Sequence, residues 1–333
     1  MNRPNIFNCA TREMSQEAFI FWLLQWSDPE ASIINAKLHK LSHNLIKALF
    51  NKHNQKLPSQ IEKIDLLGGY CDIDMLLIIN NTIIIPIQDK IYNRESPDQL
   101  LKYIQVLKDD GHPEENILPI YLQTGTQGNH KKLMEIGFIP FSLKELLNVL
   151  NSGQTIKNDI LHDYIEYLKQ LETDMQSFRL LSLDRWHLYS WQGFYNYLQS
   201  ELKDGEWDAI TNSSNSFLGF WWNWHSDRDC EQYLQLEKED LCFKIRVHDK
   251  RKRTDLKLRW SDRFIKASAV TAIKVVTPLF QNDDAITVAV VDGNYRRADK
   301  NGIIDLKKTL DVIIETQKLF DKAVNLSPSL DNL

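Results

Sequence analysis

The sequence predicts an α/β protein whose first half forms a mixed sheet with helices on both faces. Two observations predict this class. The runs at residues 75–79 and 82–87 are almost entirely apolar, which is typical of strands buried on both faces. The segments around them carry apolar residues at three- and four-residue spacing, as amphipathic helices do. The order is helix, helix, hairpin, helix, strand, helix, which describes an α/β core.

The individual elements of this first half follow from periodicity and from helix-breaking residues. Phe19, Trp22, Leu23 and Trp26 share one helical face, and Pro29 ends that helix. The asparagines at positions 80 and 81 interrupt the two apolar runs, which therefore form a hairpin. The predicted helices span residues 15–26, 31–51, 97–108, 141–150 and 158–172; the predicted strands lie in the hairpin 72–90 and at 117–123; and residues 125–128 are predicted to be a loop.

The residue pattern of the second half differs from that of the first and predicts a β-rich α+β region. Short apolar segments alternate with turns, and an amphipathic helix closes the chain at residues 306–323. We expect strands at residues 217–225, 231–237, 241–248, 256–260 and 285–291. The predicted domains are residues 1–175, the α/β core, and residues 176–333, a region that binds substrate or a partner.

Composition excludes several classes. The chain has 333 residues and a net charge of −5, so any nucleic-acid-binding surface must be local. Its four cysteines form no disulfide framework and no metal-binding spacing, which favours a reduced, cytoplasmic setting. No apolar run approaches 18 residues, and the first residues do not resemble a signal peptide. We therefore expect a cytoplasmic protein with no membrane partner.

Polar residues end the two hairpin strands and mark a candidate site. Asp74 opens the first apolar run, and Gln88, Asp89 and Lys90 close the second. Side chains alternate along a strand, so Gln88 and Lys90 point to one face while Asp89 points to the other. If the strands pair, Asp74, Gln88 and Lys90 converge at one end of the sheet. The alternative is a pair of polar strand ends without a role.

Such a cluster is suited to chemistry on phosphate. A lysine beside carboxylates neutralises phosphate charge or orients an attacking water. Two carboxylates hold Mg²⁺, which prefers oxygen ligands and keeps several waters. The cation lowers the pKa of a bound water and stabilises the charge that develops on the phosphate.

Four segments together resemble the PD-(D/E)XK nuclease superfamily. The opening segment, with Asn5, Ile6, Phe7 and the helix of residues 13–24, resembles the first helix of one of its branches. The stretch around Asp74 resembles the acid-bearing strand, and residues 83–90 resemble the strand that carries the acid-x-Lys motif. Gln99 and Tyr103 match the Q-x-x-x-Y helix of the RecB-like members. The resemblance covers the first 105 residues and implies a restriction-endonuclease-like mixed sheet flanked by helices.

The resemblance implies specific roles for these residues. Asp74 would be the first metal ligand, Gln88 would occupy the second ligand position, and Asp89 would contribute its backbone carbonyl. Lys90 would be the catalytic lysine, and the cofactor would be Mg²⁺ or Mn²⁺. Gln99 and Tyr103, four residues apart on one helical face, would steady the lysine and contact the nucleic-acid backbone; core packing is the alternative for Tyr103. Glu13 matches an acid that precedes the first helix, and its alternative role is to favour a helix N-terminus.

Gln88 departs from the family pattern, which has an acid there. An amide keeps one oxygen but loses the negative charge, and its NH₂ group cannot bind a cation. Three interpretations stay open: a naturally weakened enzyme, a nucleic-acid binder that does not cleave, and an engineered Glu-to-Gln substitution that traps substrate, which we favour. In each, Gln88→Glu would restore or create the missing charge.

A basic segment in the second half is the candidate phosphate contact. Residues 244–266 contain ten lysines and arginines and three aspartates. Lys244 and Arg246 alternate along one predicted strand face, and four further basic residues crowd the following turn: Lys250, Arg251, Lys252 and Arg253. The alternative is a solvated hairpin.

The sequence thus predicts a metal-dependent nuclease that hydrolyses phosphodiester bonds, with DNA favoured over RNA by resemblance. A role in antiphage defence follows by analogy, and a protein partner or a homo-oligomer is compatible with the second region. The alternative is a catalytically silent nucleic-acid-binding or assembly protein on the same scaffold.

Overall fold

A computed structural model describes residues 4–9, 13–91, 96–125, 130–211, 216–278 and 285–325. The chain divides into two compact units, residues 1–173 and 174–333. This division lies two residues from the domain boundary predicted from the sequence. The mixed α/β class is confirmed. Of the predicted loop at residues 125–128, all but Gly125 lies outside the described residues.

Unit 1 is an α/β unit built around one sheet. Its helices are α1 (Ile6–Cys9), α2 (Glu13–Gln25), α3 (Ala31–Ile34), α4 (Ala36–Lys52), α5 (Pro97–Asp109), α6 (Lys131–Glu135), α7 (Leu143–Asn151) and α8 (Asp159–Gln176), the last of which ends just past the division. Its strands are β1 (Ile64–Tyr70), β2 (Ile73–Ile79), β3 (Ile83–Lys90), β4 (Ile120–Gln123) and β5 (Ile139–Ser142).

The sheet of unit 1 has the strand order β1-β2-β3-β4-β5 and is mixed. The first three strands form an antiparallel meander, while β4 and β5 are each parallel to the strand before them. Parallel neighbours need a crossover connection, which α5 supplies between β3 and β4. Both turns of the meander have two consecutive residues at positive φ: Cys71 and Asp72 in the first, Asn80 and Asn81 in the second. Such turns match the right-handed twist of paired strands.

The predicted hairpin is confirmed, but β1 was not predicted. Strand β1 contains Gly68 and Gly69 and is exposed over much of its length, as is usual at a sheet edge. The apolar pattern of β1 is too weak to predict a strand from the sequence. The predicted helix at residues 31–51 is divided, because Asn35 adopts an extended backbone conformation and caps α4 with its side chain. The predicted helix at 141–150 begins only at Leu143, since Phe141 and Ser142 belong to β5.

Unit 2, over its described residues, consists of an antiparallel sheet and three helices. The helices are α9 (Leu188–Glu201), α10 (Arg253–Ser268) and α11 (Leu306–Asn325), and short 3₁₀ turns occur at Ser177–Arg179, Leu183–Arg185 and Lys250–Lys252. The strands are β6 (Glu206–Thr211), β7 (Ser216–Ser226), β8 (Cys230–Glu237), β9 (Asp240–Val247), β10 (Val275–Val276) and β11 (Ala285–Val291), in the order β10-β11-β9-β8-β7-β6.

One sequence prediction in unit 2 is wrong. Residues 256–260 form part of α10 rather than a strand. Leu256, Trp260 and Phe264 recur at four-residue spacing and are all buried in the core of the unit. The sequence analysis considered five residues of this segment, and over so short a window an apolar stripe of a helix is indistinguishable from a strand. The closing helix α11 and the strand β11 are confirmed.

The second unit has its own core, which the sheet shares with all three helices described above. Phe243, Phe264 and Phe320 meet there, with the Phe264 and Phe320 rings stacked at 5.1 Å. Across the residues that the structure describes, no helix has the length and apolarity needed to cross a membrane.

Candidate functional site

The ends of β2 and β3 bring Asp74, Gln88 and Lys90 together. Met75 lies opposite Ile87 in the antiparallel pair, so Asp74 lies beside Gln88. The Gln88 Nε2 atom donates to Asp74 Oδ2 over 2.6 Å, and the Lys90 Nζ atom lies 3.8 Å from the same oxygen. The three side chains therefore converge on one point and on one side of the sheet, as the strand alternation predicts.

The same oxygen also accepts a backbone hydrogen bond. Asp89 N–H donates to Asp74 Oδ2 over 2.8 Å. Two hydrogen bonds and a nearby ammonium group thus stabilise the ionised carboxylate. The side chains of Asp74 and Lys90 are only 22% and 13% exposed, so solvent screens their attraction weakly. This oxygen is consequently well neutralised without a metal ion.

Gln88 has one satisfied and one unsatisfied end. Its side chain is buried, and Oε1 accepts no hydrogen bond from the residues that the structure describes. The amide orientation has a physical reason, because the opposite orientation would place Oε1 against the Asp74 carboxylate. A buried acceptor without a donor costs about 1–3 kcal/mol. Gln88 therefore presents an amide oxygen at the second ligand position, while its NH₂ group occupies the Asp74 oxygen that a cation would require.

The residues present do not fit a firmly bound divalent cation. Within the described segments, no group of three or more His, Cys, Asp or Glu side chains is placed to hold a metal. Asp74 contributes one carboxylate with a heavily occupied Oδ2, and Gln88 contributes a neutral oxygen. Mg²⁺ sites in proteins usually contain one or two carboxylates together with substrate phosphates. As it stands, the cluster of Asp74, Gln88 and Lys90 lacks the second negative charge.

Glu17 on α2 is an acidic residue near the site to which the sequence analysis assigned no role. Burial raises the pKa of its carboxyl group; the charge of Asp74 raises this pKa further, and Lys90 lowers it. Glu17 therefore lies within electrostatic reach of both residues. Gln16 and Ile20, which flank Glu17 on α2, are both buried. The apolar periodicity of this helix is the sequence signal that could have indicated that Glu17 lies near the sheet. Glu13, predicted as a metal ligand, lies in α2, but its side chain is outside the described part of the chain.

Glu17→Gln is expected to raise the midpoint of thermal unfolding at pH 7. The pKa of Glu17 is higher in the folded state than its ordinary value of 4.5, so folding is penalised once the carboxyl ionises. The difference in unfolding midpoint between the variant and the parent should grow as the pH rises through the folded-state pKa, and it should disappear as the pH falls towards 4.5. Thermal melts at both ends of this range test the expectation, with Glu172→Gln on an exposed position of α8 as control. An equal difference at both pH values would contradict it.

Asp89 faces the opposite side of the sheet, as predicted, and is bound there by Gln16. Gln16 Nε2 donates to Asp89 Oδ1, and Gln16 Oε1 accepts from Thr124 Oγ1 and from Tyr164 OH, the latter over 3.3 Å. All four side chains are buried. Burial, and next the charge of Asp89, raises the pKa of Tyr164. This cluster fixes Asp89, whose backbone N–H binds Asp74 on the other side.

Gln16→Leu is expected to destabilise the protein by about 2–4 kcal/mol, because it takes a donor from a buried carboxylate and an acceptor from two buried hydroxyl groups. Urea unfolding curves measure the loss. The control is Tyr164→Phe, which removes a single long hydrogen bond and should cost about 1 kcal/mol. If both variants lose the same amount, the Asp89 carboxylate does not depend on Gln16.

The Q-x-x-x-Y helix lies on the face that carries Gln88. Gln99 Nε2 donates to Tyr103 OH over 2.8 Å on α5. Tyr103 is buried in a cluster with Leu76 and Tyr121, and Tyr121 is the β4 residue paired with Gln88. Both interpretations of Tyr103 therefore have support: it packs in the core, and it borders the site. A role of Gln99 and Tyr103 towards Lys90 stays a prediction.

The predicted basic surface of unit 2 is only partly present. Lys244 is buried and forms an ion pair with Glu237, so it does not contribute to an exposed basic face. Arg246 pairs with Glu231. The sequence analysis considered the positive charges of β9 without the acidic residues of β8, namely Glu231, which lies opposite Arg246, and Glu237, which reaches Lys244 from further along the strand.

The four basic residues after β9 lie in the turn and first residue leading into α10, not in a hairpin turn. Arg251 forms a bidentate contact with Asp249, and Lys252 pairs with Asp229 at 2.7 Å. Lys250 and Arg253 occupy the ends of the same turn. The exposed guanidinium of Arg251 and its neighbours keep this turn accessible to an anion.

No protein-family model, no curated protein and no solved structure matches the chain. The inferences about the site therefore rest on the sequence and on the geometry.

Proposed function

We propose that this chain is a PD-(D/E)XK-type nuclease, with a restriction-endonuclease-like sheet in unit 1, whose activity Gln88 weakens. The substrate would be nucleic acid, with DNA favoured over RNA. The observation that supports the proposal is the meeting of Asp74, Gln88 and Lys90 at the ends of two neighbouring strands, with the Asp74–Lys90 distance at 3.8 Å. Together with the order of the four resembling segments, this geometry favours a phosphodiester site over unrelated polar strand ends.

The chain's own residues define what the site does. Lys90 supplies a positive charge in a poorly solvated position, where it would attract a phosphate oxygen strongly. Asp74 holds that ammonium group, and Asp89 N–H orients the carboxylate. A divalent cation, where bound, would supply a water of lowered pKa and neutralise developing charge. Because the residues present do not fit such a cation well, we expect weak activity from this chain.

The alternative function is a catalytically silent nucleic-acid-binding or assembly protein on the same scaffold. The Gln88–Asp74 hydrogen bond favours it specifically, since it satisfies the carboxylate without a cation. In that case Gln88 would be an adaptation that stabilises an inherited site. The two functions differ in whether Gln88→Glu yields a cation-dependent nuclease.

The role of unit 2 follows from the first proposal. We propose that it binds substrate or a partner, with Lys250, Arg251, Lys252 and Arg253 as phosphate contacts, to which Arg246 contributes. A cytoplasmic location, a role in antiphage defence and a homo-oligomeric or partner-bound state remain part of this proposal by analogy.

A substrate panel tests the proposed function. Single- and double-stranded DNA and RNA, linear and circular, are incubated with the Gln88→Glu protein in Mg²⁺ or Mn²⁺, and products are separated by size. Cleavage that requires the cation and disappears in Gln88→Glu/Asp74→Asn supports a nuclease and identifies its substrate. Binding without cleavage in every arm supports the silent alternative. Circular substrates separate endonuclease from exonuclease action.

A further inference from the structure

Gln123 lies next to Lys90 on the neighbouring strand. It is the last residue of β4, and the parallel register pairs it with Lys90, as it pairs Tyr121 with Gln88. Paired residues of adjacent strands point to the same face. Gln123 therefore lies on the face that bears Gln88, Lys90 and Asp74, one strand further from the acid.

One end of this amide is held and the other has no partner among the described residues. In the orientation that the amide adopts, Gln123 Oε1 faces His130 Nε2; because an amide oxygen only accepts, His130 carries its proton on Nε2 in this arrangement. Gln123 Nε2 donates to none of the atoms that the structure describes, although the side chain is only 4% exposed. Other glutamines with an unsatisfied buried atom, Gln88, Gln192 and Gln232, lack a partner for the oxygen. Orphaned carbonyl oxygens are less unusual than orphaned N–H donors. Among the described residues Trp186 Nε1 and Arg296 Nη1 are also buried donors without a partner, but both belong to unit 2, so Gln123 Nε2 is the orphaned donor that lies beside Lys90.

The backbone around Gln123 keeps the amide close to the lysine strand. Gly125, two residues on, approaches Ile91 so closely that a Cβ there would lie 1.7 Å from the Ile91 carbonyl oxygen. The ends of β3 and β4 are thus held together just beyond Lys90 and Gln123. Thr124, between them, binds Gln16 on the opposite face. The position of Gln123 is consequently fixed from both sides of the sheet.

The chemistry of the unsatisfied atom selects the ligand. An amide N–H donates and cannot bind a cation, so Gln123 is not a further metal ligand. Beside the Lys90 ammonium, a neutral donor suits an anionic oxygen, and hydrogen bonds to ionised acceptors are stronger than those between neutral groups. We propose that Gln123 Nε2 donates to a non-bridging phosphate oxygen of a nucleic-acid strand bound at Lys90, and that His130 positions the amide. This inference rests on the proposed function for the identity of the anion.

The first test uses the uncut complex and does not require catalysis. In chain labelled with ¹⁵N-glutamine, the Gln123 side-chain NH₂ signals are identified by their absence in Gln123→Met. Adding a DNA or RNA oligonucleotide should shift one amide proton of Gln123 downfield. Gln154, whose amide binds Asn151 on an exposed segment just after α7, is the internal control and should stay unchanged. An unperturbed Gln123 signal at saturating nucleic acid would overturn the proposal.

The second test measures the contact in the Gln88→Glu protein. Gln123→Met keeps the side-chain length and removes the donor, and should lower kcat/KM by about tenfold or more, as loss of a hydrogen bond to a charged oxygen does. Replacing one non-bridging oxygen with sulfur should shrink this loss for one phosphorothioate diastereomer only. An equal loss with both diastereomers would assign Gln123 a purely structural role, with ordered water as its partner, and would overturn the phosphate contact.

His130 has a separate prediction as a positioning residue. His130→Ala should reduce kcat/KM less than Gln123→Met, and His130→Gln, which retains an N–H donor, should recover activity. A Gln88→Glu protein that cuts no substrate while the Gln123 signal still shifts would refute the nuclease and leave the phosphate contact standing. Cleavage with no effect of Gln123→Met would refute the contact and leave the nuclease standing.

Discussion

Gln88→Glu is expected to raise Mg²⁺-dependent cleavage by about 10–100-fold over the chain with Gln88, the effect typical of losing or gaining a group that tunes a metal site. The Gln88 amide nitrogen now lies 2.6 Å from Asp74 Oδ2. A glutamate of the same shape would put a second carboxylate oxygen there. Two carboxylates at that distance repel each other, so they either share a proton, which leaves one of them neutral, or hold a cation between them. The substitution therefore replaces the hydrogen-bonded pair of Gln88 and Asp74 by two carboxylates that require a positive ion.

The measurement is the initial rate on the best substrate of the panel, in Mg²⁺ and in EDTA, for both proteins. Glu and Gln are nearly isosteric, so the far-ultraviolet circular dichroism spectrum should not change. Glu172→Gln is the matched control, because it exchanges the same two residue types at an exposed position of α8 that contacts no residue of the site. Equal rates for the parent chain and the Gln88→Glu variant would show that this position does not limit activity.

Lys90→Met in the Gln88→Glu protein is expected to reduce kcat by about 10²–10³-fold, the cost typical of removing one group that stabilises transition-state charge. The Lys90 ammonium group is largely shielded from water and lies 3.8 Å from Asp74. Its charge is therefore weakly screened, and a phosphate bound beside it would lose a major attraction. Methionine retains the length and the apolar part of the side chain.

Lys52→Met is the matched control for this prediction. Lys52 belongs to the same unit and forms a part-buried ion pair with Glu145 at 2.7 Å, away from the hairpin. Its removal should leave kcat unchanged, although it costs some stability. If both lysine variants lost activity in proportion to their loss of stability, Lys90 would have no role beyond the fold.

The sequence predicted those features of unit 1 that depend on local pattern. The hairpin, its asparagine turn and the shared face of Gln88 and Lys90 follow from apolar runs and strand alternation. Helix α5 follows from the spacing of its apolar residues, and the structure adds a Ser96 cap and a proline in the first turn. These signals lie within a few residues of each other, so one sequence suffices to find them.

Features that depend on distant partners were not predictable in this way. Glu17 lies near the site only because α2 packs on the sheet, and Gln123 is placed beside Lys90 by the parallel pairing of β3 and β4. Lys244 looked exposed because Glu237, its partner, lies on a different strand. The pattern of β9 alone contains no information about which charges oppose it. Register between strands, rather than local propensity, decided these cases.

The most direct test of the central claim is a Mn²⁺ titration followed by electron paramagnetic resonance, with no nucleic acid present. The account predicts one Mn²⁺ site in the Gln88→Glu protein. The Mn²⁺ affinity should be at least about tenfold lower in the parent chain, which has Gln88, and in the Gln88→Glu protein that also carries Asp74→Asn. Equal Mn²⁺ affinity with Gln or Glu at position 88, or a site that survives Asp74→Asn, would contradict the assignment of these strand ends as a cation and phosphate site.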